Sequence, residues 1–195
     1  MKNVLLILPL AFGLVILAHA TSSNPPTEAK QVTNKGENGK NNPLITKACA
    51  SAQYKDLCIK TLKEQPGSAN ADIKTLAFMS LNITTSFGKM VSDWVAEKLE
   101  DPELGPQIEQ ALTDCSDQYT DAMAQLEDSM VAFFSNAFND VKTWMSTAMT
   151  NANTCEEGLK TANAIKVMGN KNKEFSQYCS NVLAIVNEMT KLRLE

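Results

Sequence analysis

Residues 108–133 read IEQALTDCSDQYTDAMAQLEDSMVAF, and their apolar side chains recur every three or four positions. This spacing places one apolar stripe along an amphipathic α-helix, with acidic and amide side chains on the remaining surface. The stripe consists of Ile108, Leu112, Cys115, Tyr119, Ala122, Leu126 and Phe133. Because a helix within a protein gains most of its stability by burying such a stripe against other elements, the segment predicts packing against other helices.

Three further segments show the same spacing, and no segment alternates apolar and polar residues as a half-buried strand would. The segment before residue 108 has its stripe at Ile73, Leu76, Ser80, Ile83, Phe87, Met90 and Trp94. The two later segments have stripes at Val141, Trp144, Met145, Ala148 and Met149, and at Phe175, Cys179, Val182, Val186 and Met189. Four amphipathic helices with short connections predict an all-α protein, an antiparallel up-down-up-down four-helix bundle over residues 68–195.

Two cysteines lie close together ahead of this bundle. Cys49 and Cys58 fall in two short helical pieces within residues 44–65, which are marginal as isolated helices. The short separation of these cysteines favours a disulfide that staples the pieces into a helical hairpin. The hairpin and the bundle together form one domain over residues 44–195.

The other three cysteines lie within or beside the bundle segments. Cys115 is on the apolar stripe of the second segment, and Cys155 is expected just beyond the third helix. A bridge between them would join two long helices. Cys179 lies between Phe175 and Val182, so we expect a buried free thiol there.

The N-terminus has the features of an export signal. Lys2 precedes an apolar run that ends at Ala18-His19-Ala20, a small-x-small cleavage site, so residues 1–20 are predicted to be a signal peptide. Residues 21–43 are polar and lack apolar periodicity, which predicts a disordered leader. Export to an oxidising compartment suits a disulfide framework, and the sequon at Asn82 is a candidate glycosylation site.

Composition excludes several classes of function. The only histidine, His19, lies in the predicted signal peptide, so we expect no histidine-based catalysis and no histidine metal site. The acidic residues fall mostly on the polar faces of helices, and we expect no catalytic residue, no metal and no other cofactor. The net charge of −4 disfavours nucleic acid and anionic membrane surfaces and suits a basic protein partner.

Several motifs in the bundle are similar to those of a known family. Their order along the chain and the spacing of the first four cysteines are specific when taken together. The motifs are Ala111-Leu112-x-Asp114-Cys115-x-x-x-Tyr119-x-Asp121-Ala122, Asp140-Val141-x-Thr143-Trp144-x-Ser146-x-Ala148-x-Thr150 and Thr154-Cys155-Glu156-Glu157-Gly158. With the Cys49–Cys58 hairpin, they resemble the plant invertase and pectin methylesterase inhibitor family over residues 44–192.

The resemblance implies a four-helix bundle with an N-terminal hairpin, in which the first cysteine pairs with the second and the third with the fourth. It also implies a secreted, non-enzymatic protein that occludes the active-site cleft of a plant cell-wall carbohydrate enzyme. The partner would be a secreted pectin methylesterase or an invertase, with no nucleic acid, membrane or small-molecule substrate.

The family divides by target. Invertase inhibitors characteristically have a Pro-Lys-Phe motif between the second and third bundle helices, and the matching inter-helix loop here is Asn136-Ala137-Phe138, which lacks the lysine. The run from Thr143 to Thr150 is more similar to that of pectin methylesterase inhibitors. We therefore expect a pectin methylesterase as the target, with invertase as the alternative.

The resemblance places the enzyme-binding face on the second and third bundle helices. An acidic face rich in hydroxyl groups would complement a basic esterase. The residues expected to point outward on this face are Asp117, Gln118, Asp121, Gln125, Thr143, Ser146 and Thr147.

Three other classes of protein share some of these sequence features. The pro-region of an esterase would be followed by a catalytic domain, for which there is no room before Glu195. A carrier of small apolar ligands would need a cavity, whereas large side chains occupy most stripe positions. A pollen or storage-type extracellular protein without an enzyme target is the alternative of a different class.

Overall fold

The computed structural model describes residues 42–192, so the predicted signal peptide and most of the predicted leader lie outside the described residues. Within that range the chain contains α-helices, one short 3-10 helix and no strand. The helices are α1 (Pro43–Ala48), α2 (Lys55–Lys63), the 3-10 helix (Ser68–Asn70), α3 (Ile73–Leu99), α4 (Pro106–Phe134), α5 (Phe138–Thr161) and α6 (Lys171–Leu192).

Helices α3 to α6 form a four-helix bundle in which α3 and α5 each pack against α4 and α6. Consecutive helices are antiparallel. Phe133 near the end of α4 contacts Phe138 at the start of α5, whereas Cys115 near the start of α4 bonds to Cys155 near the end of α5. The predicted fold class is therefore confirmed.

The N-terminal hairpin consists of α1 and α2, joined by the Cys49–Cys58 disulfide with 5.9 Å between the two Cα atoms. It packs mainly on α3 and α6. This arrangement leaves the outer sides of α4 and α5 uncovered by the hairpin.

Helix α1 begins at Pro43, within the segment that the sequence pattern assigned to the leader. Asn42 is the N-cap of α1 and accepts a 3.0 Å hydrogen bond from the backbone N–H of Leu44, while Pro43 is the first helical residue. The buried Asn42 amide also donates to the carbonyl oxygens of Ser68 and Ala71, at 2.7 and 2.9 Å. Asn followed by Pro is an N-terminal helix signal, which the polar composition of the leader concealed.

The predicted stripe of α4 is buried from Leu112 to Phe133, and all five predicted core residues of α6 are buried. The prediction for α3 was wrong in its second half. The residues that α3 buries are Leu76, Ala77, Ser80, Leu81, Thr84, Gly88, Val91 and Val95.

Packing at Gly88 explains why the stripe of α3 differs from the prediction. A Cβ atom there would lie 2.8 Å from Phe175 and 3.2 Å from both Leu126 and Met123, so α4 and α6 approach α3 closely at this point. The larger residues flank this contact instead. Phe87 lies 4.9 Å from the ring of Tyr178, and Trp94 lies under the amino group of Lys171.

The second disulfide joins Cys115 on α4 to Cys155 on α5, with 4.6 Å between the two Cα atoms. Cys155 lies within α5, because the helix continues to Thr161, and the expectation that Cys155 follows the helix was wrong. The polar residues before Cys155 do not end the helix, and the Thr154 hydroxyl donates back to the carbonyl of Thr150 at 3.1 Å. Cys179 is a buried free thiol, and its burial raises its pKa.

Candidate functional site

The seven residues predicted for the enzyme-binding face lie on α4 and α5. Asp117, Asp121, Thr143 and Ser146 are exposed, whereas Gln118, Gln125 and Thr147 are partly buried. Asp117 and Gln118 lie near the start of α4, beside the end of α5, whereas Thr143, Ser146 and Thr147 lie in the first half of α5.

Two shallow grooves mark these areas. The first has a volume of about 410 Å³ and lies where Asp114, Asp117 and Gln118 of α4 meet Thr154 and Glu157 of α5. The second has a volume of about 680 Å³ and runs along the first half of α5. Its lining residues are Asn139, Lys142, Thr143, Ser146, Thr147 and Thr150.

Helix α4 has an unbalanced charge. It contains six acidic residues and no lysine or arginine, and all six carboxylates are exposed. Four of them, Asp114, Asp117, Asp121 and Asp128, line its outer side and are called the acidic stripe below. In the described part of the chain the stripe forms no ion pair, and its one side-chain hydrogen bond joins Gln110 to Asp114 at 2.9 Å. The outer side of α4 therefore presents negative charge that no ion pair within the described residues neutralises.

The outer side of α5 presents hydroxyl groups in a regular row. Thr143 and Thr147 each donate a hydrogen bond to the backbone carbonyl four residues earlier, at 3.1 and 3.0 Å, and Thr150 does the same at 3.0 Å. Because the hydroxyl protons point into the helix, the oxygen lone pairs remain available as acceptors. A partner rich in lysine, arginine or amide donors would match this surface.

The connection between α4 and α5 differs from the sequence interpretation. Asn136 adopts a left-handed conformation with φ of 57°, and Ala137 follows it. Phe138 is the first residue of α5, and its largely buried ring packs 5.8 Å from that of Phe133. Phe138 is therefore part of the packed end of the bundle.

A lysine does reach this connection from another helix. The amino group of Lys74 on α3 donates a 2.9 Å hydrogen bond to Oδ1 of Asn136 and lies 5.8 Å from the centre of the Phe133 ring. Sequence reasoning missed this cation because 62 residues separate Lys74 from Asn136. Only the packing of α3 against the end of α4 brings the two together.

The candidate glycosylation site lies elsewhere. Asn82 is exposed on α3 and borders a groove that also contains Gln65, which follows the hairpin. Thr84 of the sequon is buried and donates to the carbonyl of Ser80 at 2.9 Å. A glycan on Asn82 would project beside the hairpin and leave the α4–α5 surface accessible.

Residues 42–192 contain no group of three or more histidine, cysteine or acidic side chains arranged to hold a metal ion. None of the helices in that range is both long enough and apolar enough to cross a membrane.

The described residues thus form a disulfide-bonded helical bundle whose helices α4 and α5 present a polar outer surface. A family model described as plant invertase/pectin methylesterase inhibitor matches residues 43–185, and the chain belongs to this family. Members of the family are inhibitors of enzymes and are not catalysts themselves.

Individual relatives include both target classes. A "Putative invertase inhibitor" from Platanus acerifolia is 28% identical over 67% of this chain and 73% of its own length. A pectinesterase inhibitor from Actinidia deliciosa is 27% identical over 75% of this chain and 79% of its own. A probable pectinesterase/pectinesterase inhibitor from Arabidopsis thaliana is 31% identical over 72% of this chain, which covers 25% of that longer protein.

The fold also matches a solved structure. The crystal structure of a mutant form of a pectin methylesterase inhibitor from Arabidopsis superposes with a TM-score of 0.62. The match covers 71% of this chain and 92% of the other at 24% sequence identity, and it supports the bundle architecture.

Proposed function

We propose that this protein is a secreted inhibitor of a plant pectin methylesterase and that its α4–α5 surface covers the active-site cleft of the enzyme. The observation that carries the proposal is the acidic stripe of α4, which lacks any basic residue on its own helix. A basic esterase would supply the missing positive charge. Inhibition then follows from exclusion of the polymeric substrate, and no covalent bond forms or breaks.

The chemistry of α5 supports the same partner. Its threonine oxygens accept hydrogen bonds, and Glu157 adds a carboxylate beside Asp114 and Asp117. Lysine and arginine side chains on the enzyme would donate to these groups. Complementary potentials raise the association rate and exclude partners of like charge.

An invertase inhibitor is the second candidate, and one contact favours it. Lys74 places a cation at the α4–α5 connection, where the invertase inhibitors of the family have a lysine within their Pro-Lys-Phe motif. Its amino group is bonded to the neutral amide of Asn136 and forms no ion pair with a carboxylate among the described residues, although the Asp72 carboxylate interacts with it at longer range. A strongly acidic catalytic centre would be attracted to it.

One preparation can distinguish the two targets. The chain from Thr21 onward, produced with its disulfides, is titrated against a purified basic pectin methylesterase and a purified acid invertase. We expect stoichiometric inhibition of the esterase, weakened by the double substitution Asp117→Asn/Asp121→Asn and unaffected by Lys74→Met. Lys89→Met is the matched control, because Lys89 lies on the same helix in an exposed pair with Asp93.

Other outcomes reject the proposal. Inhibition of invertase alone, lost in Lys74→Met and retained in Lys89→Met, would establish the second candidate. Absence of inhibition of either enzyme by the folded protein would favour an extracellular pollen or storage-type role without an enzyme target.

A further inference from the structure

Two large apolar side chains project into solvent at the end of α4. Val131 is 67% exposed and Phe134 is 64% exposed, and they lie three residues apart on adjacent turns. The ring of Phe134 lies 5.4 Å from that of Phe78 on α3, which is partly buried. These three side chains are called the apolar tip. The other exposed large hydrophobic residue in the described part of the chain is Met90 on α3, at 42%.

The core at this end of the bundle is closed without Val131 or Phe134. The preceding residue, Phe133, is 2% exposed and closes this end of the bundle against Phe78 and Phe138. Phe134 adds an edge contact to Phe133 while most of its own surface remains in water. A single exposed apolar residue is ordinary, but an aromatic and an aliphatic side chain side by side form a contiguous exposed apolar patch, which is a candidate interaction site.

The apolar tip is continuous with the acidic stripe. Asp117, Asp121, Asp128 and Val131 follow one another at helical spacing along the same side of α4. Ten residues separate Asp121 from Val131, which corresponds to about 15 Å along the helix axis. A standard interface buries about 800 Å² on each partner, so one bound protein can cover both features.

We infer that the apolar tip is an anchor for the esterase, which would seat Phe134 in an apolar socket bordered by basic residues. This inference rests on the proposed function. A second copy of this chain is a poor occupant, because a symmetric dimer through this side of α4 would oppose two helices with six acidic residues each and no basic residue. A basic partner satisfies the charge and the apolar surface together.

The anchor and the stripe have separate kinetic roles. Exposed charges mainly set the association rate, whereas a desolvated aromatic contact sets the dissociation rate. Phe134 therefore determines how long the complex lasts, and the acidic stripe determines how fast it forms.

The test measures both rate constants for Phe134→Ser, Val131→Ser/Phe134→Ser and Phe134→Leu on immobilised esterase. We expect Phe134→Ser to raise koff by about tenfold or more, with kon and its salt dependence unchanged. The double variant should be weaker still, and Phe134→Leu should recover most of the residence time. Met90→Ser is the matched control, since it removes an exposed apolar side chain from α3 and should leave koff unchanged.

Thermal unfolding and size-exclusion chromatography of each variant separate loss of contact from loss of fold or assembly. A wild-type koff in correctly folded Phe134→Ser would overturn the inference while the proposed function stands. A wild-type dimer that becomes monomeric on substitution, with inhibition unchanged, would also overturn it. If the wild-type protein does not bind the esterase, the proposed function and this inference both fail.

Discussion

The phenol of Tyr119 on α4 donates a 2.8 Å hydrogen bond to Oδ1 of Asn172 on α6, and both residues are buried. The amide nitrogen of Asn172 donates in turn to Oε2 of Glu156 at 3.1 Å and contacts Sγ of Cys155 at 3.3 Å. This polar network therefore joins α4, α5 and α6 around the Cys115–Cys155 disulfide. The same contacts fix the relative orientation of the two helices that form the proposed binding surface.

Removal of the Tyr119 hydroxyl should destabilise the bundle. The substitution Tyr119→Phe leaves Oδ1 of Asn172 buried without its strongest donor, which costs about 1–3 kcal/mol of unfolding free energy. Urea denaturation measures the loss. The matched control is Tyr178→Phe, because Tyr178 is partly exposed and its ring packs on Phe87 without a side-chain hydrogen bond. Equal stability of Tyr119→Phe and the wild type would show that the network contributes nothing net.

The contrast between α4 and α3 shows what sequence periodicity can reveal. The stripe of α4 was predicted because large apolar residues such as Tyr119 and Leu126 occupy enough of its buried positions to make the period visible. The buried stripe of α3 includes Thr84 and Gly88, which are small or polar. The sequence prediction therefore selected the larger apolar residues next to them, Ile83 and Phe87. Burial at Gly88 depends on the shape of Phe175, which no local pattern encodes.

Long-range polar contacts were beyond sequence reasoning for a related reason. Tyr119 and Asn172 are 53 residues apart, and Lys74 and Asn136 are 62 apart. Each pair comes together only when the helices pack. The local sequence does not distinguish these residues from the many other polar residues on the same helices. The outward direction of Asp117 and Asp121 could be predicted, since it follows directly from the buried positions of Cys115 and Tyr119.

Close packing at Gly88 predicts that the substitution Gly88→Ala is destabilising. The new Cβ would lie 2.8 Å from Cε2 of Phe175, and the resulting strain costs about 1–3 kcal/mol, against a helix-propensity gain of at most about 1 kcal/mol. Gly158→Ala in α5 is the matched control, because no other atom of residues 42–192, apart from its chain neighbours and the backbone of its own helix, lies within 4 Å of its Cβ position. The unfolding free energy of the Gly158→Ala variant should rise by about 0.5–1 kcal/mol, because alanine has the higher helix propensity. Equal effects of the two substitutions on the midpoint of chemical denaturation would contradict the tight contact.

Burial of Cys179 predicts sensitivity to alkaline pH. Burial raises the pKa of this thiol in the folded protein, whereas in the unfolded chain the thiol ionises above about pH 8.5. Above that pH the unfolded state binds fewer protons than the folded state, so the unfolding free energy falls as pH rises, by about 1.4 kcal/mol per unit. The stabilising contribution is complete below pH 8.5 and declines above it.

The variant Cys179→Ala tests this assignment. Its unfolding free energy should stay constant between about pH 8 and pH 9.5, with a decline only near pH 10, where the unfolded-state tyrosines ionise and buried Tyr119 has a raised pKa. Urea titrations at each pH give the slopes, and recovery of the original transition on return to pH 7 verifies that the disulfides have not exchanged. Identical slopes for the variant and the wild type would assign the alkaline sensitivity to another group.

The acidic stripe predicts how fast the inhibitor meets a basic enzyme. Asp117→Asn/Asp121→Asn removes two exposed charges from the proposed surface without altering its shape, so it should lower kon several-fold at low ionic strength and leave koff nearly unchanged. The difference should shrink as salt rises to about 0.5 M, because screening then limits charge attraction to a few ångströms. Glu97→Gln/Glu100→Gln changes the net charge by the same amount at the end of α3 and is the matched control. Equal losses of kon in the two double variants would mean that only net charge steers the encounter and would remove the acidic stripe as the docking side.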